Sequence, residues 1–460
     1  MITLESLNPK VLKAEYAVRG PIVELAQNLE NQGREMHYFN IGNPQALGQP
    51  AISYYRNVLS LVINPVLLNN TQVTKVYPAD IVEKARFIMK NNPSGMGAYS
   101  LSAGMMFVRQ AVADFISKRD NIPAIKENIF LTDGASKGVD LVLQSFIRSS
   151  KDGVMIPIPQ YPLYSADITL FGGHQVPYYL DEEKHWSLNE SSLEESYKNA
   201  VDDGISPRLI VVINPNNPTG SLLSKENIAM VLTFAEKHNL SVIADEVYQE
   251  NIYYPEDKFY SFAKVANEKG IKIPLFSLHS TSKGFIGECG FRGGYVEIRN
   301  SSKEIMEQLL KIRSIGLCSN TAGQLMTFLM VLPPEKGSDS FELYQSEKSA
   351  ILSSLKRKSQ IIADALDKID GIECPRPRGA MYLFPKLDLP TNRDYQGKEP
   401  DFRFCEHLVK DAGIVTVPGS GFGQLPETYH LRMTFLPPEE KIAGIMATFE
   451  TSYRKFIEGN

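Results

Sequence analysis

Cysteine is scarce. Only four occur in 460 residues, Cys289, Cys318, Cys374 and Cys405, and no two form a C-x-x-C pair. That excludes a disulfide framework and a cysteine-based zinc site, and it suits a reducing compartment. Excess charge of one sign is also missing. The 48 Lys and Arg against 53 Asp and Glu give a formal charge of −5, which leaves no electrostatic footprint for nucleic acid or an anionic membrane surface. No uninterrupted apolar run approaches the roughly 20 residues that cross a bilayer. The first residues, Met1 to Ser6, carry neither an apolar signal core nor an Arg-rich presequence. The seven histidines have no metal-ligand spacing, so no metal is expected. These absences predict a soluble, cytoplasmic protein that acts on small molecules.

What is present is ordinary globular material, 43% hydrophobic and 22% charged, in a chain long enough for two domains. An arm with one helix (Ile22 to Gln32) fills residues 1–60 together with part of a smaller domain. It includes the Val18-Arg19-Gly20-Pro21 helix break and a turn at Gly42-Asn43-Pro44. From about residue 128 strands and helices alternate, which predicts a large α/β domain over 61–325 with a mainly parallel sheet covered by helices. Leu332-Pro333-Pro334 then breaks the chain, and a small α+β domain follows over 326–460. The clearest unit is 208–248. There the apolar run Arg208 to Ile213 ends at Asn214-Pro215-Asn216-Asn217-Pro218-Thr219-Gly220, a helix capped by Ser224 follows, and the strand Val242 to Ala244 ends at Asp245. A βαβ unit puts both carboxyl ends at one sheet edge, where open α/β folds bind ligands.

Lys283 belongs at that edge. It follows the apolar run Pro274 to Leu278 through Ser280-Thr281-Ser282, and Gly284, Gly287 and Gly290 lead on to Arg292. An unpaired ammonium is costly to bury, and a desolvated lysine is an imine-forming nucleophile. Hydroxyls and an arginine suit a phosphate, as does the helix start at Gly134-Ala135-Ser136. A lysine holding a phosphate-bearing aldehyde is the chemistry of pyridoxal phosphate. Tyr99, in the loop Gly95 to Ser100, reads equally as a packed loop anchor or as a ligand contact, while Tyr161, at a strand end, reads on its own first as a structural tyrosine in a Pro-bounded turn and second as an aromatic face for a ring. Gly419-Ser420-Gly421-Phe422-Gly423 lacks the spacing of a dinucleotide loop and is rejected as one.

Asn217-Pro218-Thr219-Gly220, Asp245-x-x-Tyr248, Ser280-x-Ser282-Lys283 and Arg292 stand in the order and spacing of the class I aminotransferases. The chain resembles that family, the fold type I pyridoxal phosphate enzymes, and within it the alanine branch. Glu15 to Pro21, Ile156 to Ala166, Gly287 to Tyr295 and Val417 to Gln424 carry the closer likeness, and the branch shares the one extra residue between Lys283 and Arg292. The resemblance implies L-alanine:2-oxoglutarate transamination with pyridoxal 5′-phosphate. A glutamate:glyoxylate enzyme or a same-fold lyase is the alternative. By resemblance, Lys283 binds the cofactor covalently, Asp245 pairs with its pyridinium nitrogen, and Tyr248 and Asn217 meet its phenolic oxygen. Tyr161 stacks on the ring, and Ala135, Ser136, Lys137, Ser280 and Arg292 form the phosphate cup. Arg432 takes the substrate carboxylate, with Asn217 and Gly42 beside it, and Tyr99 reaches in from the neighbouring subunit of a homodimer. A cofactor-sensing regulator of the same fold would need a DNA-binding domain, and no basic helix-turn-helix precedes the likeness.

Overall fold

The computed structural model describes residues 2–16, 18 and 20–459, so Arg19 of the expected helix break, and Ala17 just before the break, lie outside the described residues. A seven-stranded sheet organises the chain. In sequence order its strands are β1 (Ile129–Thr132), β2 (Asp152–Ile158), β3 (His174–Tyr179), β4 (Ser206–Ile213), β5 (Ser241–Asp245), β6 (Leu275–Ser280) and β7 (Gly294–Arg299). Across the sheet they run β1-β7-β6-β5-β4-β2-β3. All are parallel except β7, which is antiparallel to both neighbours.

Alternation along the strands explains the two covered faces. Met155, Ile210, Val212, Val242 and Ala244 pack with Ile228, Val231 and Leu232 of the helix Lys225–Lys237. Val154, Leu209, Val211, Ile213 and Ile243 point the other way, toward Val139 and Val142 of the helix Ala135–Phe146. Burial on both faces is why these strands read as continuous apolar runs. The expected βαβ unit is present, and Ser224 caps its helix by accepting from Asn227 N at 3.2 Å.

The apolar-periodic segment 300–330 forms two helices, Lys303–Ile315 and Thr321–Val331. Asn320 starts the second by accepting from Gly323 N at 2.6 Å, a cap inside an otherwise apolar period. The helix ends just before Leu332-Pro333-Pro334, as expected, and the expected boundary at 325 falls inside it. The arm returns to the C-terminal part of the chain, where His37–Tyr38 pairs in parallel with Ile414–Val415. Gly419–Phe422 is a short 3₁₀ turn between strand segments, not the start of a phosphate-binding helix.

Candidate active site

Six strands end at one edge of the sheet, and the antiparallel β7 begins there. Thr132 and Ser280 both sit opposite Gly294. Ile213 and Asp245 are register partners in β4 and β5. The direction of β7 therefore delivers Arg292 to the edge where Asp245, Ser280 and the turn after Ile213 already converge. A cavity of about 820 Å³ lies there.

Lys283 reaches into this cavity, and its Nζ donates to the Gly42 carbonyl at 3.0 Å. It makes no ion pair among the described residues. Gly42 is required by close approach. A β-carbon there would stand 2.5 Å from Tyr382 Oη and 3.3 Å from Lys283 Nζ.

At one end of the cavity lies an anion-binding corner. Gly134 has φ +80°, and the Arg292 guanidinium packs so closely against it that a side chain would collide. Arg292 donates to the carbonyls of Cys289 and Asp133, both at 3.0 Å, and lies 3.4 Å from Ser282 Oγ and 3.5 Å from Ser136 Oγ. No carboxylate neutralises it among the described residues. The first N–H groups of the helix Ala135–Phe146 have no intrahelical acceptor, and the helix dipole adds positive potential. A partly enclosed dianion with hydroxyl neighbours fits this corner.

Asp245 lies deeper, 5% exposed. Its carboxylate accepts from the Tyr164 hydroxyl at 2.8 Å and from Val247 N at 3.4 Å. Burial pushes its pKa up, while Tyr164, Val247 and the Lys283 charge pull the other way, and the net direction is upward. A cation entering the pocket would relieve that burial. Glu246 belongs to a separate buried group, where it accepts from Phe262 N at 2.8 Å and lies 3.9 Å from Arg119. His279 is packed in the same region, and burial, with Arg119 adding, holds its imidazole neutral down to about pH 3.

Arg432 is 1% exposed. Nη2 donates to the Asn40 carbonyl at 2.6 Å and Nη1 to Asn217 Oδ1 at 3.2 Å, while Nε has no partner. The guanidinium lies against the rings of Tyr382 (4.5 Å) and Phe422 (4.9 Å). Among the described residues it has no carboxylate. A buried cation left this way is costly unless an anion completes the site.

Most expected residues therefore line one cavity: Lys283, Asp245, Tyr248, Ala135, Ser136, Tyr161, Asn217, Ser280, Arg292, Arg432 and Gly42. Ser280 is buried, and its hydroxyl donates to the Gly293 carbonyl at 3.2 Å. Two expected residues are elsewhere. Lys137 points outward and pairs with Asp140 one turn along the helix, because the third residue of a helix start turns its side chain away while its backbone stays near the corner. Tyr99 is 78% exposed and lines no part of this cavity. Four further residues enter the site unforeseen. Tyr164 holds Asp245, Tyr382 meets Tyr248, Tyr16 hydrogen-bonds the Tyr161 hydroxyl at 2.8 Å, and Cys289 lines the cavity. Tyr164 stands one helical turn beyond Tyr161, a spacing that could have revealed it. Tyr382, on a distant strand, has no such local signal.

The sequence profile described as Aminotransferase class I and II matches residues 57–447. The chain belongs to this family. The aminotransferase is 46% identical to "Alanine aminotransferase 1, mitochondrial" of Arabidopsis thaliana, over 99% of this chain and 87% of the relative. It is 45% identical to "Alanine aminotransferase 2" of Panicum miliaceum, over 99% and 98%. "Glutamate--glyoxylate aminotransferase 1" of Arabidopsis matches at 43% identity, over 98% and 96%. Among solved structures, an alanine aminotransferase from Pyrococcus furiosus superposes with a TM-score of 0.80 over 98% of this chain and all of that one, at 24% identity, a likeness of fold.

The expected cytoplasmic location does not stand. The Arabidopsis relative is named mitochondrial, as are relatives from Dictyostelium discoideum and Saccharomyces cerevisiae. Few cysteines and a balanced charge suit any reducing compartment, so they cannot separate the cytoplasm from a mitochondrial interior.

Proposed function

We propose that this aminotransferase transfers the amino group of L-alanine to 2-oxoglutarate, giving pyruvate and L-glutamate by a ping-pong mechanism, with pyridoxal 5′-phosphate as cofactor. The observation that carries the reading is Arg432, a buried guanidinium whose Nε–H is unpartnered and which has no anionic partner among the described residues, facing the same cavity as Lys283. Both substrates bring an α-carboxylate that completes it, and the relatives' names narrow the donor to alanine. The residues fit the cofactor as well. The unneutralised corner at Arg292, Ser136 and Ser280 suits its phosphate, and the buried Asp245 carboxylate suits its ring cation.

When bound, the cofactor supplies an electron sink. Asp245, oriented by Tyr164, holds a proton on the ring nitrogen by close ion pairing. Arg432 grips the α-carboxylate and fixes which substrate bond faces Lys283, while Asn217 and Gly42 border that position. Lys283 Nζ then carries the proton released from the substrate α-carbon. Tyr248 and Asn217 would hold the phenolic side of the ring, Tyr161 would offer its face, and the backbone at Ala135 to Lys137 would close the phosphate corner.

Sustained release of pyruvate from L-alanine, beyond the single equivalent per site of the first half-reaction, only when 2-oxoglutarate is present, with parallel initial-rate plots, is the expected assay result. Glyoxylate as the better acceptor by more than tenfold would move the assignment to the glutamate:glyoxylate branch, and multiple turnovers without any oxo acid would make it a lyase. Arg432→Ala raises KM for both substrates by about 10- to 100-fold with a smaller loss of kcat, as expected for charge-assisted hydrogen bonds. A KM change for only one substrate would contradict a shared carboxylate site.

We further infer a homodimer in which Tyr99 completes the partner's phosphate corner, supported by a tyrosine that stands exposed outside its own subunit's cavity. Light scattering gives twice the chain mass in that case, and Tyr99→Phe weakens cofactor retention about tenfold while leaving the dimer intact. A monomer with full activity would overturn both. The division into 1–60, 61–325 and 326–460 remains our reading of the domains. The pairing of His37–Tyr38 with Ile414–Val415 supports placing part of the arm with the small domain.

A further inference from the structure

Tyr382 is 2% exposed and meets the site through three contacts. Its hydroxyl lies 2.9 Å from that of Tyr248, its ring underlies the Arg432 guanidinium at 4.5 Å, and its oxygen approaches Gly42 closely enough that a β-carbon there would stand 2.5 Å away. The same imagined β-carbon would be 3.3 Å from Lys283 Nζ, so phenol and amine border one narrow gap. A phenol has a single proton to donate. If Tyr248 spends its proton on Tyr382, none remains for an acceptor in the cavity. If Tyr382 is the donor, the Tyr248 proton is free. The surroundings decide the direction. Burial raises the Tyr382 phenol, but the Lys283 and Arg432 charges beside it act the other way, and its net shift is downward. Tyr248 is pushed well above the ordinary phenol range, by burial first and then by Tyr382. In a neutral pair the more acidic phenol is the better donor.

We propose that Tyr382 is a positioning residue of the transamination site. Its hydroxyl donates to the Tyr248 oxygen and so keeps the one Tyr248 proton aimed into the cavity, and its ring is a platform for Arg432. One side chain thereby ties the carboxylate-binding arginine to the group beside the cofactor's phenolic oxygen. This rests on the function proposed above.

Tyr382→Phe removes only the hydroxyl and leaves the platform. Reconstituted with pyridoxal 5′-phosphate, the variant should keep KM for L-alanine within about twofold and lose about five- to tenfold in kcat, the size of one hydrogen bond. The pH midpoint of the bound cofactor's visible absorbance should rise by about half to one pH unit, because a less well aimed Tyr248 stabilises the phenolic anion less. In a Tyr248→Phe background the same substitution should leave that midpoint unmoved, since Tyr382 acts through Tyr248. Tyr382→Leu should also raise KM for both substrates, through the lost platform. Gly42→Ala, which would push the phenol from Tyr248, should reproduce the midpoint rise and provides a reading if Tyr382→Phe does not fold. An unchanged midpoint in both Tyr382→Phe and Gly42→Ala, or an equal shift with and without the Tyr248 hydroxyl, overturns the proposal. The two readings fail separately. A wild-type protein that binds the cofactor yet transfers no amino group ends the proposed activity and leaves the midpoint comparison readable.

Discussion

Lys283→Ala abolishes turnover. The expected fall in kcat/KM is at least about 10⁴-fold, the upper range for a positioned general acid–base group, and the covalent link to the cofactor is lost as well. The geometry explains why nothing substitutes. Lys283 Nζ rests on the Gly42 carbonyl at 3.0 Å and 5.8 Å from the centre of the Tyr248 ring. Among the described residues no second primary amine lines the cavity. The tyrosines beside it have phenols either pushed upward or engaged with each other. Lys283→Arg separates charge from chemistry. Its guanidinium keeps the positive charge but cannot give up its proton at working pH, so it should be as inactive as the alanine variant. Absorbance spectra with pyridoxal 5′-phosphate, together with mass measurement after borohydride reduction, check the covalent role directly. A wild-type mass increase that persists in Lys283→Ala would assign the bond to another lysine.

Much of this site was legible because parallel α/β architecture converts sequence order into place. Asn217, Asp245 and Ser280 each follow a buried apolar strand, and parallel strands bring such residues to one edge without any contact being known. Lys283 and Arg292 were legible through composition, since a cation after a buried run demands a partner. Long-range pairings carried no comparable signal. Gly294–Arg299 enters the sheet antiparallel and sets the direction from which Arg292 arrives, yet its residues look like any amphipathic strand. Arg432 could be assigned only by resemblance, because its burial comes from Asn40, Asn217, Tyr382 and Phe422, four segments spread across the chain. Tyr382 was missed for the same reason. Its chemistry lies in its neighbours, and those neighbours are 134 residues away at Tyr248 and further still at Gly42. The two-helix form of 300–330 was hidden because Asn320 interrupts a region whose apolar spacing stays helical on both sides.

Asp245→Asn should leave the cofactor bound but lower kcat by about 10²–10³, or about 3–4 kcal/mol, the range for removing one preorganised electrostatic partner. The substitution is nearly isosteric: the amide oxygen can still accept from Val247 N–H, which now meets Asp245 Oδ1 at 3.4 Å, and the Tyr164 hydroxyl, which now donates to Oδ2 at 2.8 Å, can turn to accept from the amide N–H. What is lost is the negative charge that, on the proposed function, keeps the cofactor's ring nitrogen protonated. A second, independent consequence concerns stability. The folded-state pKa of Asp245 is raised, chiefly by burial. An acid with a raised folded pKa holds its proton in the fold after the unfolded chain has lost it, so its contribution to stability falls as pH rises from the unfolded value toward the folded one. Cofactor-depleted wild-type protein should therefore gain less from neutral pH than the asparagine variant, and the variant should melt higher at pH 7. The gap should close as pH falls toward the ordinary carboxylate range, where both side chains are neutral. Saturating cofactor should reverse the order at pH 7, because only the wild type then gains an ion pair at this position. Differential scanning calorimetry at pH 4.5 and 7, with and without pyridoxal 5′-phosphate, reads all four states. A variant that melts lower than the wild type at pH 7 without cofactor would show that the two hydrogen bonds to the carboxylate outweigh its burial. Near-normal kcat in the same variant would remove Asp245 from the chemistry altogether.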